Sequence, residues 1–253
     1  MPVSGLALAA SAGLRVASLN LCTDELLLGL ARPQEIVSLS YLSRQPQESV
    51  LWQQARRYPA NVGTIESAMA SRPTLVLTMG GGGRATETIA RRLGIRVITL
   101  PYPQTIADLE KQSLIVAGAL RGGERVGPIR RRLAALKASR PPRLIPAAFV
   151  GGGGLSLAPD SLGAEWLSLA GYRQMPLPGN RLTFEQLATR PPNRLIVSNY
   201  RSGQLSRGQE WLQHPLVRRL ASRSIATDGR AWTCAGWPMI EEVERIRGWS
   251  AQR

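Results

Sequence analysis

The chain is poor in histidine, lysine and cysteine: its 253 residues hold one histidine, and its only lysines are Lys111 and Lys137. A lone His214, followed by Pro215, excludes a zinc site built on several imidazoles. Any Ser-His-Asp hydrolase would have to use that one ring, which sits in a polar stretch away from the expected strand ends. No paired-carboxylate constellation stands in the expected cleft, so no catalysis and no metal-ligating set are read here. There is no apolar run of about 18 residues, the length a membrane-spanning helix needs. The two cysteines, Cys22 and Cys234, permit one disulfide in an exported protein; two buried free thiols fit as well.

What is abundant is arginine. With 32 basic residues against 17 acidic, the formal net charge is +15. The Arg doublets and the triplet Arg130-Arg131-Arg132 are dispersed along the chain. No basic stripe or recognition motif forms, so nucleic acid is not an expected partner. A codon-biased, solvated surface accounts for most of the excess, with some preference left for anionic ligands. Apolar residues make up 43%, enough for a real core, and the length suits two lobes of roughly 100 residues each. The small apolar stretch Leu6 to Ala12 ends in Ala10-Ser11-Ala12. That small-x-small pattern makes residues 1–12 the expected remnant of an export signal, without a lipid-anchoring Cys.

One phrase occurs twice. Thr64-Ile65-Glu66 leads through Arg72-Pro73 into Leu75-Val76-Leu77, and Thr183-Phe184-Glu185 leads through Arg190-Pro191 into Leu195-Ile196-Val197. Each copy reads as a Thr-capped helix with an acid in its positive first turn, a Pro break and a buried strand. Copies half a chain apart predict two similar lobes with a cleft between them. Short apolar strands alternate with helices before and after a helical section. The expected class is α/β: two βαβ lobes with parallel-type sheets, at 13–104 and 143–253, joined by a connector at 105–142. Thr23 or Asp24 is the expected cap of the first helix, and Glu210 to Ser222 reads as one late helix.

With these pieces in order, the chain resembles substrate-binding proteins of ABC importers, the class that carries cobalamin, haem and ferric siderophores. The resemblance rests on Arg15-Val16-Ala17-Ser18-Leu19 with Thr23-Asp24-Glu25-Leu26, and on Asn61-Val62-Gly63 before the first phrase. It also rests on Asp160-Ser161-Leu162 with Leu169-Ala170-Gly171, and on Trp232-Thr233-Cys234 before the last helix. It implies a periplasmic, monomeric receptor that captures a metal chelate, has no intrinsic cofactor, and hands its cargo to an inner-membrane permease. It implies a single long connector helix, which Thr105 to Arg140 would supply, and hence small closure. It also implies that one surface acid per lobe, Glu66 and Glu185, docks on permease arginines.

Ligands of parallel α/β lobes sit beyond the carboxyl ends of the strands. That rule selects Leu21, Cys22, Thr23, Ser40, Tyr41, Met79, Gly80, Gly81 and Tyr102 on the first lobe. On the second it selects Gly152 and Gly153 within Gly151 to Gly154, Asn199, Tyr200, Arg201, Trp232 and Trp237. Flat rings there suit a large planar or amphipathic ligand, whereas Trp166 and Trp211 fall within helices and read as core. Gly80 to Gly83 follows a strand and precedes a helix, the context of a phosphate cradle. The alternative is therefore a nucleotide- or phosphate-binding α/β enzyme using that loop. No acid closes the next strand and no Lys-Ser/Thr follows the glycines, so both glycine runs read as close backbone approach or tight turns.

Overall fold

A computed structural model describes residues 13–80, 83–121 and 123–251. The expected export remnant at 1–12, Gly81 and Gly122 lie outside the described residues. The first lobe holds β1 (Val16–Ser18), β2 (Ile36–Ser40), β3 (Ala60–Asn61), β4 (Leu75–Met79) and β5 (Arg96–Leu100), in the order β3-β2-β1-β4-β5. The second holds β6 (Ile145–Val150), β7 (Tyr172–Gln174), β8 (Leu195–Ser198) and β9 (Ser224–Thr227), in the order β7-β6-β8-β9. Every strand pair is parallel, as continuous apolar strands covered on both faces predict.

The helices of the first lobe are α1 (Leu21–Leu30), α2 (Trp52–Ala55), α3 (Ile65–Ala68) and α4 (Gly83–Arg92). The connector contributes α5 (Ile106–Ala119) and α6 (Val126–Ala138). The second lobe has α7 (Leu162–Leu169), α8 (Phe184–Thr189), α9 (Arg207–Gln213), α10 (Pro215–Arg218), α11 (Gly229–Cys234) and α12 (Met239–Ala251). One hydrophobic core runs through both lobes, joining Leu27 and Leu75 of the first to Trp166, Ile196 and Val243 of the second.

The repeated phrase occupies equivalent places. α3 precedes β4, which pairs with β1; α8 precedes β8, which pairs with β6. Thr64 Oγ1 accepts the Ser67 N–H at 3.3 Å and Thr183 Oγ1 the Gln186 N–H at 3.2 Å, so both threonines are caps.

Three local expectations are corrected. The cap of α1 is Asn20, whose Oδ1 accepts the Thr23 N–H at 3.1 Å. Thr23 and Asp24 instead point inward and are fully buried. Pro215 cannot continue the preceding helix, so the expected Glu210 to Ser222 helix is α9, α10 and a 3-10 turn. The connector is not one long helix. Glu110 on α5 pairs with Lys137 on α6 at 2.5 Å; on one straight helix those residues would be roughly 40 Å apart. The chain therefore doubles back between α5 and α6, after Leu120, which has extended backbone, and where Gly123 begins a 3-10 turn. Glycine's low helix propensity favours a break there. The turn is pinned to the first lobe, where Arg121 donates its N–H to Glu35 Oε1 at 2.9 Å and Arg32 pairs with Glu124 at 2.9 Å. α6 is tied to the last helix by Arg132–Glu244 at 2.8 Å.

Candidate ligand-binding cleft

The carboxyl ends of the two sheets face each other. Cys22, at the start of α1 just beyond β1, is disulfide-bonded to Cys234, at the end of α11 beyond β9, with 5.3 Å between their Cα atoms. Beyond β2 the chain reaches Glu48; beyond β8 it reaches Tyr200 and Arg201. The Tyr200 hydroxyl donates to Glu48 Oε2 at 2.6 Å, and Arg201 Nη2 bonds to Glu48 Oε1. Burial and the Glu48 carboxylate together push the Tyr200 phenol above its ordinary pKa. Arg230 on α11 holds Asp228 at 2.6 Å and donates to the Pro46 carbonyl at 2.6 Å. Loops following β1 and β2 thus meet loops following β8 and β9, the place where open parallel sheets bind ligands.

The expected site residues fall into different surroundings. Cys22, Met79 and Trp237 come together with Cys234 and Pro103 around one small hollow. Tyr41 and Tyr102 are 47% and 62% exposed, free to offer a ring to a ligand. Tyr102 packs over Gly80, where a Cβ would fall within 2.3 Å of the ring. That contact, with φ of +71°, explains why Gly80 is glycine. Tyr200 and Arg201 sit at the lobe junction on Glu48. Trp232 lies 4.7 Å from Phe149, centroid to centroid, and donates its Nε1–H to Thr227 Oγ1 at 2.7 Å.

The others serve the framework. Leu21, Thr23 and Ser40 are buried within the first lobe rather than set on the cleft. Thr23 Oγ1 is 2.7 Å from Ser18 Oγ, and Ser40 donates its N–H to Asp24 Oδ1 at 3.1 Å and its hydroxyl to Asp24 Oδ2. Gly152 and Gly153 pack against α9, where a Cβ on Gly152 would lie 3.4 Å from the Gly208 carbonyl. Their close backbone approach is to that helix. Asn199 is exposed and brackets the second lobe, its Oδ1 accepting the Gly229 N–H at 3.0 Å. Trp237 is buried. Trp166 is fully buried and Trp211 stacks on Phe184, as core residues do.

Sequence reasoning missed Glu48, Asp228 and Arg230. Their signal is positional: all three follow strands at the carboxyl edge. It read Asp24 only as a candidate helix cap and gave no role to Glu25, although the two are adjacent acids buried in α1. Burial raises the Asp24 carboxyl to about 7, against the hydrogen bonds from Ser40 that favour its charged form. Burial, reinforced by Asp24, pushes Glu25 well above the usual carboxylate range. His214 caps α10, its Nδ1 accepting the Leu216 N–H at 3.3 Å, and stacks on Phe184 at 4.0 Å.

No family model matches the chain, and no curated relative does. Solved structures match it along nearly its whole length. The periplasmic heme-binding protein HutB of Vibrio cholerae superposes with a TM-score of 0.69 at 19% identity, covering 93% of this chain and 98% of its own. The periplasmic heme-binding protein BhuT, in complex with two hemes, gives 0.68 at 18% identity, covering 92% and 96%. The vitamin B12-binding protein BtuF of Vibrio cholerae gives 0.64 at 17% identity, covering 93% and 95%. The fold is that of the two-lobed periplasmic binding proteins.

In this two-lobed binding-protein fold, Glu66 and Glu185 occupy matching places. Each is the second residue of the helix leading into an inner strand, and each is exposed. No described helix is long and apolar enough to cross a membrane.

Proposed function

We propose that the protein is the periplasmic substrate-binding component of an ABC importer. It captures a metal chelate (ferric siderophore, haem or cobalamin) between its lobes and delivers it to the inner-membrane permease as a monomer, without chemistry on the cargo. The observation that carries this reading is the meeting of both parallel sheets' carboxyl ends, where Cys22 is bonded to Cys234 and Glu48 to Tyr200 and Arg201; Tyr41, Tyr102, Tyr200 and Trp232 are the rings proposed to meet the cargo there. The names of HutB, BhuT and BtuF support the cargo class. Arg201 adds a cation suited to a carboxylate-bearing chelate.

Tryptophan fluorescence titration tests it. One of haem, cobalamin, or hydroxamate or catecholate ferric siderophores is expected to quench saturably at micromolar concentration or below. Tyr102→Ala removes an exposed ring and is expected to weaken that binding about tenfold, close to 1.4 kcal/mol, with the melting temperature retained. Silence toward every chelate, with a saturable response to a nucleotide, would replace the reading by a phosphate-binding one centred on Gly80 to Gly83.

Glu66 and Glu185 are the proposed docking acids, one per lobe for a two-fold permease. The double variant Glu66→Ala, Glu185→Ala is expected to lower permease affinity at least about tenfold and leave cargo affinity intact. Equal loss of cargo binding would refute the assignment.

A further inference from the structure

A larger cavity of about 400 Å³ lies between the lobes, within the size range of small-molecule sites, about 300–1,000 Å³. Glu25 and Trp237 line both this cavity and the small hollow beside the disulfide. Its apolar walls are Leu28, Val50 and Leu51 of the first lobe, Ile129 of the connector, and Ala231 and Ile240 of the second. It is therefore built from all three parts of the chain.

Its polar groups are unevenly engaged. Arg132 is held by Glu244 at 2.8 Å and Glu241 at 3.7 Å. Arg245 is held by Glu242 and the Ala226 carbonyl, and Asp228 by Arg230. Glu25 is only 2% exposed, and neither carboxyl oxygen has a hydrogen-bond partner among the described residues; nor does the Trp237 Nε1–H. Buried polar groups are almost always hydrogen-bonded, and one without a partner calls for an explanation. Gly236 makes room for this carboxyl, since a Cβ there would lie 2.8 Å from Glu25 Oε2. The lining also departs from the chain's overall charge. Glu25, Asp228, Glu241 and Glu242 face it against Arg132 and Arg245, in a protein whose net charge is +15.

We propose that this cavity is a second binding site, for a small organic cation: a protonated amine on an apolar body that also carries an acceptor oxygen. The ammonium pairs with the Glu25 carboxylate beside the Trp237 indole, where a cation is further favoured. The acceptor oxygen takes the indole N–H, and the apolar body fills the space between Leu28, Leu51 and Ile129. Pairing returns Glu25 to its charged form, so its proton leaves for solvent as the amine enters. The other ionisable groups around it are Asp24 on α1, Arg132 on α6, Asp228 before α11, and Glu241, Glu242 and Arg245 on α12. The site is independent of the chelate reading, and its test uses the cargo-free protein.

Isothermal titration with tyramine and phenethylamine, and with neutral 4-ethylphenol and anionic 3-(4-hydroxyphenyl)propionate, decides it. The amines are expected to bind saturably at sub-millimolar concentration, tyramine more tightly, with proton release seen as buffer-dependent heat. The neutral and anionic probes are expected not to bind. Glu25→Gln should weaken tyramine at least about tenfold while the far-ultraviolet dichroism stays native. Gly29→Leu, whose Cβ makes ordinary contacts of 3.5 Å and longer, should fill the cavity and abolish binding without touching the carboxyl. Absence of saturable amine binding, equal affinity for 4-ethylphenol, or undiminished tyramine affinity in both variants would overturn the proposal.

Discussion

Loss of the Cys22–Cys234 bridge is expected to lower the unfolding free energy by about 3–5 kcal/mol. The two half-cystines are 212 residues apart, so the cross-link restrains nearly the whole unfolded chain, and long loops give the larger entropic effect. At about 2–4 °C per kcal/mol for a chain of this size, the melting temperature should fall by roughly 10 °C. Calorimetry of the oxidised protein, the reduced protein and the Cys22→Ser, Cys234→Ser double variant checks this. The double variant avoids a stray thiol, and agreement between it and the reduced protein would isolate the bridge itself. An unchanged melting temperature would show that the bridge contributes nothing the shared core does not already supply.

The position of the bridge matters as much as its loop length. It joins the two sheets at their carboxyl ends, beside the small hollow. Glu48 with Tyr200 and Arg201 forms a second tie, and Arg230 on the Pro46 carbonyl a third. Restraint between the lobes therefore comes from these cross-links and a common core rather than from the stiffness of one connecting helix.

What the sequence made legible was local. A capping Thr, an acid in the first turn, an Arg-Pro break and an apolar triplet are short-range signals, and they placed α3–β4 and α8–β8 in equivalent positions. The strand-end rule picked out the segments just beyond β1, β5, β8 and β9, which hold Cys22, Tyr102, Tyr200, Arg201 and Trp232, for the same reason: where an apolar strand stops is written in neighbouring residues. What it missed depends on distant partners. Glu48 is a loop acid with no periodic signal, and its meaning comes from Tyr200, 152 residues on. The hairpin of α5 and α6 leaves helical periodicity unchanged on either side of the reversal, so periodicity alone cannot separate two helices from one. Gly152 looks like a ligand approach until Gly208 on α9 is set against it. Glu25 sits among the leucines of α1 as an ordinary helix residue until Trp237 and Gly236 close over it.

Stability is expected to fall as pH rises from about 4 to above about 7, the opposite of ordinary acid denaturation. The sign follows from Asp24 and Glu25. Both carboxyls are raised above their unfolded values, Asp24 to about 7 from 3.8, by burial. Between those values the folded state keeps a proton that the unfolded state has released. Where the native state binds more protons, the unfolding free energy declines with rising pH, by about 1.4 kcal/mol per pH unit for each fully linked proton. Groups with lowered values work in the opposite direction: Asp108, Glu124 and Asp228 contribute stability that is lost as pH falls below the ordinary carboxylate range. Their window lies below that of Asp24, so the two trends bracket a mildly acidic optimum. Urea unfolding across this range should give a descending free energy, and Asp24→Asn should flatten it by about one proton's slope. A flat or rising profile in the wild type would mean that water or a counter-charge reaches these carboxyls. An unaltered slope in Asp24→Asn would assign the linkage to Glu25 alone.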